Sequence, residues 1–128
     1  PYTLSLPDAL PICLYCVTDS TAAAGMPDGE YKLGSHTVTK CLGGVRLADG
    51  TLAGSTLTMD QALRNLVKIG LPISEASQRL SQFPADYLGL EERGRLQPGS
   101  FADCVRLDRS LHLTDVMVEG ETIVLKNA

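Results

Sequence analysis

Basic clusters, histidines and long apolar runs are all scarce in this 128-residue chain, and each scarcity removes a class of function. Its 11 Lys and Arg lie scattered from Lys32 to Lys126 and are outnumbered by 15 Asp and Glu, giving a formal net charge of −4. A nucleic-acid groove needs clustered cations to displace counterions from phosphates, so no nucleic-acid partner is expected. No apolar stretch approaches the roughly 20 residues of a membrane span, and the start of the chain lacks the basic segment of a secretory signal. No membrane partner is expected either. Four cysteines in this length are too few for a disulfide scaffold, which favours a reducing, cytoplasmic setting. The chain is also too short for a complete (β/α)₈ barrel, which needs roughly 200 residues or more. With 44% hydrophobic and 20% charged residues it is not a long disordered tail.

Sites of familiar chemistry are equally sparse. His36 and His112 lie far apart, with no His-x-His or His-Glu-x-x-His spacing. Cys13 and Cys16 have C-x-x-C spacing, but on a strand positions i and i+3 project to opposite faces, which defeats chelation. Cys41 and Cys104 are isolated, so no metal centre is expected from these residues alone and the cysteines read as small buried hydrophobes. There is no Gly-x-Ser-x-Gly elbow, no Gly-x-Gly-x-x-Gly fingerprint and no phosphate loop ending in Gly-Lys-Ser/Thr.

Residues 1–12, PYTLSLPDALPI, stand apart with three prolines, Pro1, Pro7 and Pro11. They resemble the translation of a common sequencing adapter, TLSLHDALPI, changed at Pro7. They are therefore expected to be a non-native segment, with the genuine sequence beginning near Cys13, and are set aside from the fold.

What is present is ordered punctuation. Cys13–Thr18 (CLYCVT) is a short apolar, β-branched run that predicts a buried strand, followed by Asp19-Ser20-Thr21 and a small-residue loop. Tyr31–Leu33, His36–Cys41 and Val45–Leu47 alternate as half-buried antiparallel strands, with Asp49-Gly50 as a turn. Thr58-Met59-Asp60-Gln61 has the form of a capping box, and Met59, Ala62, Leu63, Leu66 and Val67 make one helical stripe ended by Gly70 and Pro72. Ser74 should open a second helix, and Pro84, at a first helical position, a third closed by Gly89. Beyond Gly94 the period becomes two: Ala102–Leu107, Leu111–Glu119 and Thr122–Leu125 read as strands. The composition shift near Arg93-Gly94 marks a candidate domain boundary.

Asp19 is the one polar group in a suggestive place. It follows an apolar strand and precedes a loop, the position where α/β architectures carry catalytic groups. A carboxylate desolvated there can act as general acid or base, while a turn-capping role is the plainer alternative.

Val17-Thr18-Asp19, Ala23-Ala24-Gly25, Leu52-Ala53-Gly54-Ser55-Thr56-Leu57-Thr58-Met59 and Arg64-Asn65-Leu66-Val67 resemble the C-terminal third of the N-acetylglucosamine-6-phosphate deacetylases, a family of the amidohydrolase superfamily. The tail Gly94-Arg95-Leu96-Gln97-Pro98-Gly99-Ser100-Phe101-Ala102-Asp103 resembles the superfamily's closing pattern, G-x-L-x-P-G-x-x-A-D. The likeness runs from about Leu14 to Val124. It implies an α/β fragment: residues 13–93 as the last strand, hairpin insertion and helices of a (β/α)₈ amidohydrolase barrel, and residues 94–128 as C-terminal antiparallel strands of a small β-sandwich. It also implies hydrolysis of N-acetylglucosamine 6-phosphate to glucosamine 6-phosphate and acetate.

In that family the aspartate ending the eighth strand is the catalytic acid/base, which matches Asp19, and the segment matching Leu52, Ala53 and Gly54 contacts substrate. The family's divalent metal (zinc or a similar ion) is held by a glutamate and two histidines on earlier strands, which this chain does not contain. A small-molecule sugar phosphate and a homodimeric parent are the implied partners. The 128-residue chain by itself is expected to be inactive, and aggregation-prone or partly molten because its strand edges lack neighbours. Cys13 and Cys104 stand where the family usually has aliphatic residues. Two other readings remain open: a fragment of another amidohydrolase, deaminase or dihydroorotase-like, and a non-catalytic β-rich module.

Overall fold

The computed structural model describes residues 14–125, so the proline-rich segment and Cys13 lie outside the described residues. The element order is β1 (Gly29–Leu33), β2 (His36–Cys41), β3 (Gly44–Leu47), β4 (Leu52–Ser55), α1 (Met59–Lys68), α2 (Ile73–Leu80), α3 (Gln82–Tyr87), β5 (Cys104–Leu107), β6 (Leu113–Val118) and β7 (Glu121–Ile123). The described chain divides into two compact units, one of residues 17–62 and one of residues 14–16 with 63–125.

In the first unit β1 to β4 form an antiparallel meander in sequence order. Alternation sets its inner face: Tyr31 pairs with Val38 and Val38 with Leu47, so these side chains fall in one row across the sheet. Val38, Val45 and Ala23 are fully buried, with Tyr31, Leu33, Leu47 and Ala53 packed against them. The β3–β4 turn is fixed by Asp49, whose carboxylate accepts the Thr51 N–H at 2.9 Å, and by the Gly50 N–H on the Leu47 carbonyl. The Thr51 bond holds the Asp49 carboxyl below its usual range.

β4 is a strand that the sequence pattern does not announce. Val45 faces Gly54 and Arg46 faces Leu52, which leaves Ala53 as the extra residue of a bulge.

Helix α1 follows directly after Thr58, whose carbonyl accepts the Ala62 N–H at 2.9 Å. Of its stripe, Ala62 and Leu63 are buried, Leu66 and Val67 half-buried, and Met59 exposed. The Gly70 N–H on the Val67 carbonyl and the Leu71 N–H on the Leu66 carbonyl close it in a Schellman motif, with Gly70 left-handed as the motif requires. The same pair of bonds, Gly89 to Asp86 and Leu90 to Ala85, ends α3. Pro84 lies in the third position of α3 rather than the first. That first turn needs no N–H donor from it, so proline is accepted one step further in.

Over its described part the expected strand Cys13–Thr18 is absent: residues 14–19 belong to no strand. Among the described residues no strand lies beside it. A parallel strand needs a ladder on its flanks, and in the second unit two backbone groups of 14–16 bond to Arg79 of α2 instead. The Cys16 N–H donates to the Arg79 carbonyl (3.1 Å), the Arg79 guanidinium donates to the Leu14 carbonyl (2.9 Å), and Tyr15 lies against Tyr87 with ring centroids 5.2 Å apart. Arg79 is itself buried, at 2% exposure, and ion-paired with Glu75 at 2.6 Å.

The rest of the second unit centres on the closing pattern. β5, β6 and β7 form an antiparallel meander. Asp103, the last residue of the G-x-L-x-P-G-x-x-A-D run, accepts the Glu119 N–H at 2.8 Å and pairs with Arg93. Arg93 also reaches Glu119 at 2.8 Å and stacks its guanidinium 4.1 Å from the Phe101 ring centre. The Glu119 and then the Asp103 carboxylates raise the Arg93 pKa above its usual value. Gly94 is required by space: a Cβ there would lie 2.5 Å from the Ser81 carbonyl oxygen and 2.8 Å from the Ala85 Cβ.

Candidate active site at the Asp19 turn

Asp19 is held at φ 50°, in the left-handed region. An L-residue there is strained by roughly 1–2 kcal/mol, less for Asp than for most, and such strain persists only where neighbours over-determine it. They do so here. The Asp19 carbonyl accepts the Ser55 N–H at 2.8 Å and the preceding Thr18 carbonyl accepts the Ser55 hydroxyl at 2.5 Å. The Thr21 N–H donates to the Ser55 carbonyl at 3.0 Å, and Ser20 and Ser55 form a parallel bridge. The Ser20 hydroxyl donates to the Leu57 carbonyl at 2.8 Å, while its N–H donates to the Thr18 hydroxyl at 3.2 Å.

Backbone on both sides of Asp19 is thus tied down, and the side chain is not. Among the described residues, no hydrogen bond or ion pair engages the Asp19 carboxylate, and the residue is exposed.

Gly54 lies beside it. A Cβ at Gly54 would come 2.7 Å from the Thr21 Cγ2, 3.1 Å from the Asp19 carbonyl oxygen and 3.8 Å from the Asp19 Oδ2, and its φ of 137° is itself a glycine conformation. Two of the positions expected from the sequence, Asp19 and Gly54, are therefore neighbours in space. Ala53 directs its methyl onto the Val38–Val45 core, leaving its backbone as the part a ligand could meet. Leu52 is exposed at 62%. Bulges of the Leu52-Ala53-Gly54 kind recur beside active sites, where they re-aim the strand.

Ser55 is the residue that sequence reasoning passed over. Its only signal is position, between a glycine with no room for a side chain and the Thr58 helix start. Among the described residues no group of three or more His, Cys, Asp or Glu side chains comes together that could hold a metal ion. The residues present therefore do not make a site for the divalent ion implied by the resemblance.

Comparison with known proteins gives this geometry a context. The chain is 41% identical over 124 residues to an Escherichia coli (strain K12) protein named provisionally as an N-acetylgalactosamine-6-phosphate deacetylase, covering 90% of this chain and 74% of that one. It is 40% identical over 112 residues to N-acetylglucosamine-6-phosphate deacetylase of Lysinibacillus sphaericus, covering 87% of this chain and 29% of that enzyme. This chain belongs to the N-acetylglucosamine-6-phosphate deacetylase family. Within this deacetylase family, a solved mutant enzyme of Mycobacterium smegmatis in complex with N-acetyl-D-glucosamine-6-phosphate superposes with a TM-score of 0.81 at 42% identity, over 88% of this chain and 31% of that one. The chain thus spans about three-quarters of the first relative and under a third of the other two. No family model matches it. No helix among the described residues is long and apolar enough to cross a membrane.

Proposed function

We propose that the longer enzyme to which this chain corresponds hydrolyses the acetamide of N-acetylglucosamine 6-phosphate to glucosamine 6-phosphate and acetate, with Asp19 as its acid/base. The observation that carries this reading is the pairing of an unengaged, backbone-locked carboxylate with the side-chain-free backbone of Gly54. Membership of the deacetylase family supports it.

The chemistry asks one group to do two things. Water must lose a proton as its oxygen attacks the acetamide carbon, and the sugar nitrogen must gain one before the C–N bond breaks, because an amide anion is a very poor leaving group. A single carboxylate serves both steps, since the proton it accepts is the one it returns. Locking the Asp19 backbone while leaving the carboxylate free suits this, because the group must stay in place yet change protonation. The backbone of Leu52, Ala53 and Gly54 would approach the sugar, an approach that glycine permits.

In this reading residues 13–93 complete a (β/α)₈ barrel and residues 94–128 a β-sandwich, with residues 1–12 foreign to both. A divalent ion, zinc or similar, is held by ligands outside this chain. The enzyme works in the cytoplasm as a homodimer.

The test is acetate release from N-acetylglucosamine 6-phosphate by the complete enzyme, lost in Asp19→Asn with the metal content unchanged. Full activity in that variant removes the proposal. The isolated 128-residue chain should release no acetate. A second reading, N-acetylgalactosamine 6-phosphate as substrate, is favoured by the name of the Escherichia coli K12 relative. Side-by-side kcat/KM for the two epimers decides between them.

A further inference from the structure

Ser55 makes more bonds to the Asp19 turn than any position expected from the sequence, and it makes them with every polar group it has. Its N–H donates to the Asp19 carbonyl at 2.8 Å, its hydroxyl donates to the Thr18 carbonyl at 2.5 Å, and its carbonyl accepts the Thr21 N–H at 3.0 Å. The hydroxyl oxygen in turn accepts the Leu57 N–H at 3.0 Å, and the Ser55 carbonyl is within 3.4 Å of the Thr21 hydroxyl. Residues 18, 19 and 21 are thereby referred to one residue at the end of β4. The next residue back on β4 is Gly54, whose missing side chain leaves room for the Asp19 carbonyl and the Thr21 methyl.

We propose that Ser55 is a positioning residue for Asp19: its hydroxyl and backbone fix the left-handed turn that aims the carboxylate, without touching substrate. The inference rests on the reading of Asp19 as the acid/base. The hydroxyl is the decisive group, because substitution cannot remove the backbone bonds but can remove the bond to Thr18. A hydroxyl that donates to one segment and accepts from another cannot be replaced by a methyl without leaving the Thr18 carbonyl and the Leu57 N–H short of a partner. A carbonyl released there lets the turn relax from φ 50°, since the left-handed state is held only by its neighbours. The carboxylate then spends less time in line with the reacting proton. A small displacement of that kind costs up to roughly 100-fold in rate.

The test uses the complete enzyme. Ser55→Ala should lower kcat by about 10- to 100-fold with KM changed less than about twofold, because substrate binding does not depend on where the proton acceptor points. Ser55→Thr, which keeps the hydroxyl, should restore most of the rate, a rescue that loss of packing alone would not produce. If Ser55→Ala does not fold, Ser55→Cys, a near-isostere with a weaker donor, is read in the same way. Combining Ser55→Ala with Asp19→Asn should give no further loss beyond Asp19→Asn alone. A normal kcat in Ser55→Ala, or a further loss in the double variant, overturns the inference while leaving Asp19 as acid/base. Normal activity in Asp19→Asn overturns the acid/base reading itself, and the two failures are therefore distinct.

Discussion

Asp19 and Glu119 are both acidic and both held left-handed, at φ of 50° and 51°, yet the two units of the chain put them to opposite use. Glu119 is engaged through both backbone and side chain: its N–H is bound by Asp103 and its carboxylate by Arg93. Asp19 is engaged only through its backbone, and its carboxylate is free among the described residues. Each residue also has a crowded glycine in its unit. Gly94 gives way to the carbonyl and methyl of a helix, Gly54 to the Asp19 turn itself. Strain whose polar groups are all satisfied holds a fold together, and strain that leaves a titratable group unsatisfied marks a place where chemistry can occur.

The contrast predicts its own largest effect. In the complete enzyme Asp19→Asn should lower kcat by roughly 100- to 10,000-fold, the range for loss of an acid/base, with an unchanged thermal midpoint. Asn tolerates the left-handed region as well as Asp does, so fold and chemistry are separated by this one substitution. Glu119→Gln should do the reverse, keeping kcat within a few-fold while lowering the midpoint. Equal losses of rate in the two variants would erase the distinction.

The glycines come next. Gly94→Ala brings a methyl against the Ser81 carbonyl and should destabilise the fold by about 1–3 kcal/mol in denaturant titration, through strain and overpacking. Gly54→Ala should instead show in kcat/KM, with at least about a tenfold loss, because the group it displaces is the Asp19 turn.

A smaller effect is expected from Asp103→Ala, which removes the acceptor for the Glu119 N–H and one partner of Arg93. The Glu119 N–H bond to the carboxylate is charge-assisted but exposed and contributes about 1 kcal/mol, and Arg93 is 37% exposed, so its ion pairs add little. Arg93→Ala should likewise change stability while leaving kcat alone.

The smallest effect is a pH dependence. Asp108 accepts the N–H groups of His112 and Ser110 at 2.8 Å each, and the His112 bond is the main reason its carboxyl lies below the usual carboxylate range. A carboxyl lowered in the folded state stabilises above its unfolded pKa and loses that contribution as pH falls through the folded one. The β5–β6 turn should therefore loosen below pH 4, read as faster amide exchange at Ser110 and His112. Asp108→Asn should abolish the dependence.

Much of the framework was legible from the sequence because alternation and stop signals are local. Tyr31, Val38, Val45 and Leu47 fall on one face for the reason their spacing implies, and Gly70 and Gly89 end helices by the bonds expected of them. β4 escaped because Leu-Ala-Gly-Ser carries small residues and a bulge, which erase the period of two. CLYCVT was read as a strand because its composition suits one, but composition cannot supply the neighbouring ladder. The spacing of four between Glu75 and Arg79 announces an ion pair on one helix, but the burial of Arg79 and its grip on Leu14 have no signal in the sequence.

By itself, then, the order of residues determined where elements start and stop, which faces are apolar, and that an acid at 19 stands between an apolar run and a loop. Tertiary structure alone decided that Gly54 meets Asp19 and that Ser55 ties the turn from both sides. It also decided that Asp103 pairs with Arg93 and accepts the Glu119 N–H. Local patterns arise from forces between near neighbours in the chain. Close approach between remote segments depends on how the intervening strands twist and bulge, and no short window of sequence contains that information.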